Sequence, residues 1–321
     1  MSYLLANGVS WLKSVSLHSL SLVFLVAGLV LTLRKKSTPL GRSDLRVAAF
    51  IRFGPLFFAL PLAVFGMQHF ALQNVVVQAV PPWMPAHLFW VWLVGAALIA
   101  ASISLITGRL AHLAALLLGI MLFLFVLMIY VPNAARHPGD RFAFTLLSRD
   151  LALSGGALAL AGTLAADTNA RTARMLRLVG RYFFGVPMIF FAVEHFLYPG
   201  YVPGVPLARL MPGWIPGHIV WAWLTGAVLL IGGLSILFSK RGSLAGVIIG
   251  MSYLVLVLVI YMPMELIHPS VEISGELDYV ADTLAFSGAA LLVAGSLMVP
   301  TSVATKVSNL PAQATAAPSS G

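Results

Sequence analysis

Cysteine is absent from all 321 residues. The chain therefore has no thiolate for disulfide exchange, an iron–sulfur cluster or a cysteine metal site. Charge is scarce as well. Asp, Glu, Lys and Arg make up 9% of the chain, against about 25% in soluble domains. Too little polar surface exists to coat a globule in water. Short segments of alternating hydrophobicity are missing, which excludes a transmembrane β-barrel. No phosphate loop, dinucleotide fingerprint or nucleophile motif occurs. The net charge of +9 forms no nucleic-acid-binding tract, because its basic residues lie in short loops between apolar runs.

Hydrophobic residues fill 60% of the chain, and mean hydropathy is +0.97. Apolar runs long enough to cross ~30 Å of hydrocarbon as helices recur throughout. They predict an all-α polytopic protein of about nine transmembrane helices, in contact with a lipid bilayer and not with nucleic acid. The first span is Val15 to Leu33. Eight more lie near 48–70, 87–106, 110–131, 143–165, 178–198, 218–238, 244–263 and 280–299. Lys13 precedes the first span and Arg34, Lys35 and Lys36 follow it. That is the reverse of a cleaved signal peptide, and it places the N-terminus outside. Alternation then puts fourteen Lys and Arg residues inside and five outside, a strong positive-inside bias. The C-terminus is expected in the cytoplasm. The tail at 301–321, rich in Ala, Ser, Thr and Pro, is expected to be disordered.

The chain repeats itself. "PPWMPAHLFWVWLVG" at Pro81–Gly95 returns as "PGWIPGHIVWAWLTG" at Pro212–Gly226, with eight of fifteen positions identical. "FGMQHF" and "FAVEHF" align His69 with His195, and the two tryptophan clusters align His87 with His218. A shared Tyr-x-Pro-x4-His-Pro aligns His137 with His268, and "LSGGALALAG" aligns with "FSGAALLVAG". Four domains follow: 1–47, an N-terminal helix and basic loop; 48–168, repeat A; 175–300, repeat B; and the tail. Each repeat has an even number of spans, so both enter the membrane the same way up. They are expected to be parallel four-helix bundles about an axis along the membrane normal.

Six of the eight histidines fall into the three aligned pairs, all at the outer face. Within a repeat they come from the end of helix one, the start of helix two and the loop after helix three. Their convergence as His69, His87 and His137, and as His195, His218 and His268, would give sites able to hold a transition metal, ligate haem, or bind and protonate a quinone. Glu194 joins the second set, with Gln68 at the matching position of the first. Trp83 and Trp214 are expected to roof the two pockets. The alternative is interfacial anchoring, which suits Trp and His alike. Ionisable residues inside spans are functional candidates. Arg149 and Asp150 lie in the fourth span of A, and Asp282 in that of B. Arg149 aligns with Asp282, so the two are expected to meet at the interface between repeats.

The four-span unit resembles the DoxX-like family of bacterial membrane proteins. The resemblance rests on Arg52 and Arg181 at the start of helix one and on the histidines of "FGMQHF" and "FAVEHF". A Leu-x-Gly in helix two and a basic turn before helix three (Arg109; Lys240, Arg241) complete it. Two copies would cover 48–300. The resemblance implies an inner-membrane location and, in some relatives, quinone-linked sulfur oxidation with partner subunits. Here Trp92 and Trp223 stand near where an acidic residue is expected, a departure that puts the transfer of thiosulfate chemistry in doubt. A quinone-linked redox component, a non-catalytic assembly partner and a transporter remain the competing readings.

Overall fold

The computed structural model describes residues 42–165, 169–270 and 275–298. The expected first span and the C-terminal tail lie outside the described residues. Among those described, eight helices are long and apolar enough to cross a membrane. They are α1 (Val47–Ala71), α2 (His87–Thr107), α3 (Ala111–Arg136), α4 (Arg141–Leu164), α5 (Ala170–Leu197), α6 (His218–Phe238), α7 (Gly242–Ile267) and α8 (Glu276–Ser296). All sit where the apolar runs predict them. The protein is an all-α polytopic membrane protein.

Local chemistry sets several boundaries. Asp140 caps α4 by accepting from the Phe142 N–H at 2.9 Å, and Asn169 caps α5 by accepting from Thr172 at 3.1 Å. Gly108, in the left-handed region at φ 76°, ends α2. Pro132 and Pro263 lie inside α3 and α7, where a proline removes an N–H and crowds the preceding turn. Each helix widens into a π turn just before it, at Val126–Tyr130 and Val257–Tyr261.

The eight helices pack in chain order as a closed ring, with α8 returning to α1, and α4 touches α8 across the middle. The ring thus has two lobes. Lobe one holds α1, α2 and α3, and lobe two holds α5, α6 and α7; α4 and α8 form the wall between them. Burial follows this plan. The most apolar stretch of α8 is 89% buried and that of α4 72%, against 28–50% for the other six.

Helix one of each repeat packs on helix four of the other, α1 on α8 and α5 on α4. Glycines make this possible. A Cβ on Gly155 of α4 would lie 2.7 Å from the Phe184 backbone nitrogen of α5, and one on Gly288 of α8 would overlap the backbone of Phe57 and Phe58 on α1. Phe58 aligns with Phe184, so the two contacts are equivalent. Small residues let helices approach closely in lipid. Polar contacts repeat the same way. Ser154 donates to the Gly119 carbonyl at 2.8 Å, and Ser287 to that of Gly250, also at 2.8 Å.

Candidate functional site

The starts of α2, α4, α6 and α8 and the ends of α1, α3, α5 and α7 share one end of the ring, called here the tryptophan end. Each tryptophan cluster folds back on itself there. His87 Nε2 meets the Pro81 carbonyl at 3.2 Å, and His218 Nε2 meets that of Pro212 at 3.1 Å. Trp90 donates to the Pro85 carbonyl at 2.9 Å. The chain then turns through a left-handed residue, Ala86 at φ 54° or Gly217 at φ 73°, into the helix. These histidines close their own loops. Trp83 and Trp214 are 69% and 51% exposed and stand outward instead of roofing a pocket, as interfacial anchors do.

His137 and His268 are exposed beyond the ends of α3 and α7. His69 and His195 sit deeper, each with Nδ1 donating to the carbonyl one turn back, Phe65 at 2.7 Å and Phe191 at 2.6 Å. His195 Nε2, the atom an iron or zinc would take, accepts the Gly204 N–H at 2.8 Å. Glu194 faces α4, where Thr145 Oγ1 donates to it at 2.8 Å and Arg141 at 3.1 Å. Among the described residues, no three His, Asp or Glu side chains form a group able to hold a metal ion. The expected shared metal site of His69, His87 and His137, and its copy at His195, His218 and His268, is therefore not assembled. The physical reason is local: the short loop before each second helix consumes its histidine, and the third histidine falls past the helix end.

A different group does assemble. Arg149 bridges the wall, with Nε 2.9 Å and NH2 2.8 Å from Asp282 Oδ1, as the alignment predicts. Its NH1 lies 3.7 Å from Asp150, and its guanidinium stacks 5.6 Å from the Phe65 ring centroid. The Tyr130 hydroxyl faces Asp150. Tyr261, the equivalent tyrosine in lobe two, faces Thr283. Arg149 lies about two turns into α4, so the group sits within the helical bundle and not on its rim. Further pairs join the halves near the same end. Gln68 of α1 donates to Asp278 of α8 at 2.6 Å, matching the Thr145–Glu194 contact between α4 and α5. Within repeat B, Arg209 binds Glu276 at 2.5 Å.

The lobes differ above this network. The segment after α5 turns inward, and Val202 through Leu207 are all buried. Tyr261 donates to the Pro203 carbonyl, and Tyr253 donates to that of Gly204 at 3.4 Å. Arg141 donates to the carbonyls of Pro206 and Leu207 and stacks on Tyr201 at 4.1 Å. Tyr279 accepts the Arg209 N–H at 3.0 Å. This segment plugs lobe two. In lobe one the corresponding stretch, 72–86, stays at the surface, with Pro81 its one buried residue. Neither the plug nor the roles of Tyr130 and Tyr261 were read from the sequence. Two signals pointed to the plug: the Pro- and Gly-rich "YPGYVPGVP", and the longer spacing from His195 to His218 than from His69 to His87.

The chain matches no family model, no curated protein and no solved structure.

Proposed function

We propose that the chain is a quinone-linked component of a redox system in the bacterial inner membrane, with the tryptophan end and N-terminus outside and the C-terminus in the cytoplasm. The carrying observation is the group Arg149, Asp150, Asp282 and Tyr130. Quinone and quinol interconvert by moving protons with electrons, so their site needs a protein group that holds a proton within the bilayer. Two carboxylates share one arginine here, and one of them can be protonated without stranding a buried charge. The resemblance to DoxX-like proteins and the basic bias of the opposite end support the same reading. The electron carrier then belongs to a partner subunit.

The test is direct. Protein purified in mild detergent is extracted for quinone, assayed for metal and scanned in the visible. Quinone approaching one per chain is expected, and less than about a tenth of that overturns the reading.

An assembly role is the second reading. It is favoured by the pairing of buried charges within the chain: Arg141 with Glu194, Arg149 with Asp282 and Arg209 with Glu276. Under it, Asp150→Asn supports partner assembly and electron flow as well as the wild type. A transporter that rocks one repeat against the other fits less well, because each helix four would have to withdraw from the opposite repeat.

A further inference from the structure

The plug gives lobe two a resident occupant, and its contacts define what the equivalent space in lobe one is built to accept. Residues of the lobe-two floor are buried beneath it: Phe191, His195, Ile260, Tyr261 and Met264. Their counterparts in lobe one, Phe65, His69, Ile129, Tyr130 and Asn133, are each partly exposed. Arg149 retains 19% side-chain exposure where Asp282 retains 4%. The uncovered floor is also the more polar. Asn133 replaces Met264, and Asp150 replaces Thr283. Polar groups facing bare hydrocarbon are costly, so this floor suits a partner with polar atoms of its own.

We infer that lobe one is a binding site for a small, largely apolar molecule carrying a hydroxyl group, seated on His69 as the Val202–Pro206 segment is seated on His195. The hydrogen-bond directions follow from the rings. His69 Nδ1 is committed as a donor to the Phe65 carbonyl. In the neutral ring Nε2 is then an acceptor, as it is in His195, where it takes the N–H of Gly204. The occupant must donate there. A ketone oxygen cannot, whereas an O–H can. The hydroxyl oxygen, or a second oxygen across a ring, accepts from the donors on the same floor, Asn133 and Arg149. Phe65 supplies an apolar wall.

The inference goes beyond the quinone reading by assigning one lobe and one oxidation state, and it rests on that reading only for two of its probes. Full-length protein in detergent is titrated calorimetrically with decylubiquinol, decylubiquinone and 4-nonylphenol. Decylubiquinol and nonylphenol are expected to bind at one per chain, and decylubiquinone at least about tenfold more weakly, the loss of one good hydrogen bond. His69→Ala and Asn133→Met should each weaken decylubiquinol at least about tenfold, and both variants are checked for wild-type elution. If His69→Ala does not fold, Asn133→Met decides. Binding of nonylphenol alone, lost in these variants, supports the site and overturns the quinone reading. Quinol binding that is unchanged in folded variants, or two molecules per chain, overturns the site and leaves the quinone reading standing. No binding by any probe overturns the site.

Discussion

Arg149 of α4 and Asp282 of α8 hold equivalent positions in the two repeats, and they bind each other at 2.8 Å across the wall between lobes. A charge inside a bilayer is expensive and is tolerated when paired. The contact couples two faces that would otherwise both be apolar and could slide.

Removing one partner should hurt more than removing both. Arg149→Ala leaves Asp282 buried beside Asp150, and a loss of about 3–5 kcal/mol is expected. Arg149→Leu combined with Asp282→Leu should recover more than half of it. Thermal unfolding in detergent, followed by circular dichroism, measures both; equal losses in the single and double variants would remove the pair from the account of stability.

Helix approach at the glycines predicts a steep size dependence. Gly288→Val drives a side chain into the α1 backbone and should destabilise by more than the ~1–3 kcal/mol usual for overpacking. Gly139→Ala, with nothing within 4 Å of the added carbon, should be neutral. A Gly288→Val protein that melts with the wild type would contradict the close packing of α8 on α1.

The lack of cysteine makes the plug easy to probe. Val205→Cys, buried beneath the plug surface, should resist a hydrophilic maleimide in detergent, while Gln78→Cys on the exposed lobe-one loop reacts at once. Adding Tyr261→Phe removes a donor from the Pro203 carbonyl, at a cost of about 1–3 kcal/mol, and should raise the Val205→Cys labelling rate several-fold. Rapid labelling in the unmodified background would mean that the segment is not held inside.

Orientation is checked in the same background. In intact cells a membrane-impermeant maleimide should label Gly139→Cys at the tryptophan end and leave Arg109→Cys at the basic end unlabelled until the membrane is opened. The reverse pattern would invert the protein.

Much of the fold was legible because hydrophobic run length and internal alignment are properties of single segments and pairs of segments. The described helices and the Arg149–Asp282 contact follow from them. The site was legible in part. His69 and His195 were identified as special, but their company was not. Bringing His87 to His69 requires knowing how the loop between them folds, and that loop is governed by the reach of His87 to the Pro81 carbonyl. The aligned "LSGGALALAG" and "FSGAALLVAG" do not name the helices that pack against their glycines. Lipid offers no contrast between an apolar surface facing its own repeat and one facing the other, so hydropathy cannot tell which helix one a helix four will meet.

The interlocked helix fours bear on how such a chain arises. A lone repeat would leave its closing position unfilled, and two identical copies would have to associate about a twofold axis to fill it. In such a homodimer every residue facing its own equivalent across the axis meets a like residue, arginine against arginine or aspartate against aspartate. Only after the copies are joined in one polypeptide can each drift separately. The heterotypic pair at the centre, and the plug in one lobe alone, are asymmetries that covalent fusion permits and that a symmetric assembly forbids.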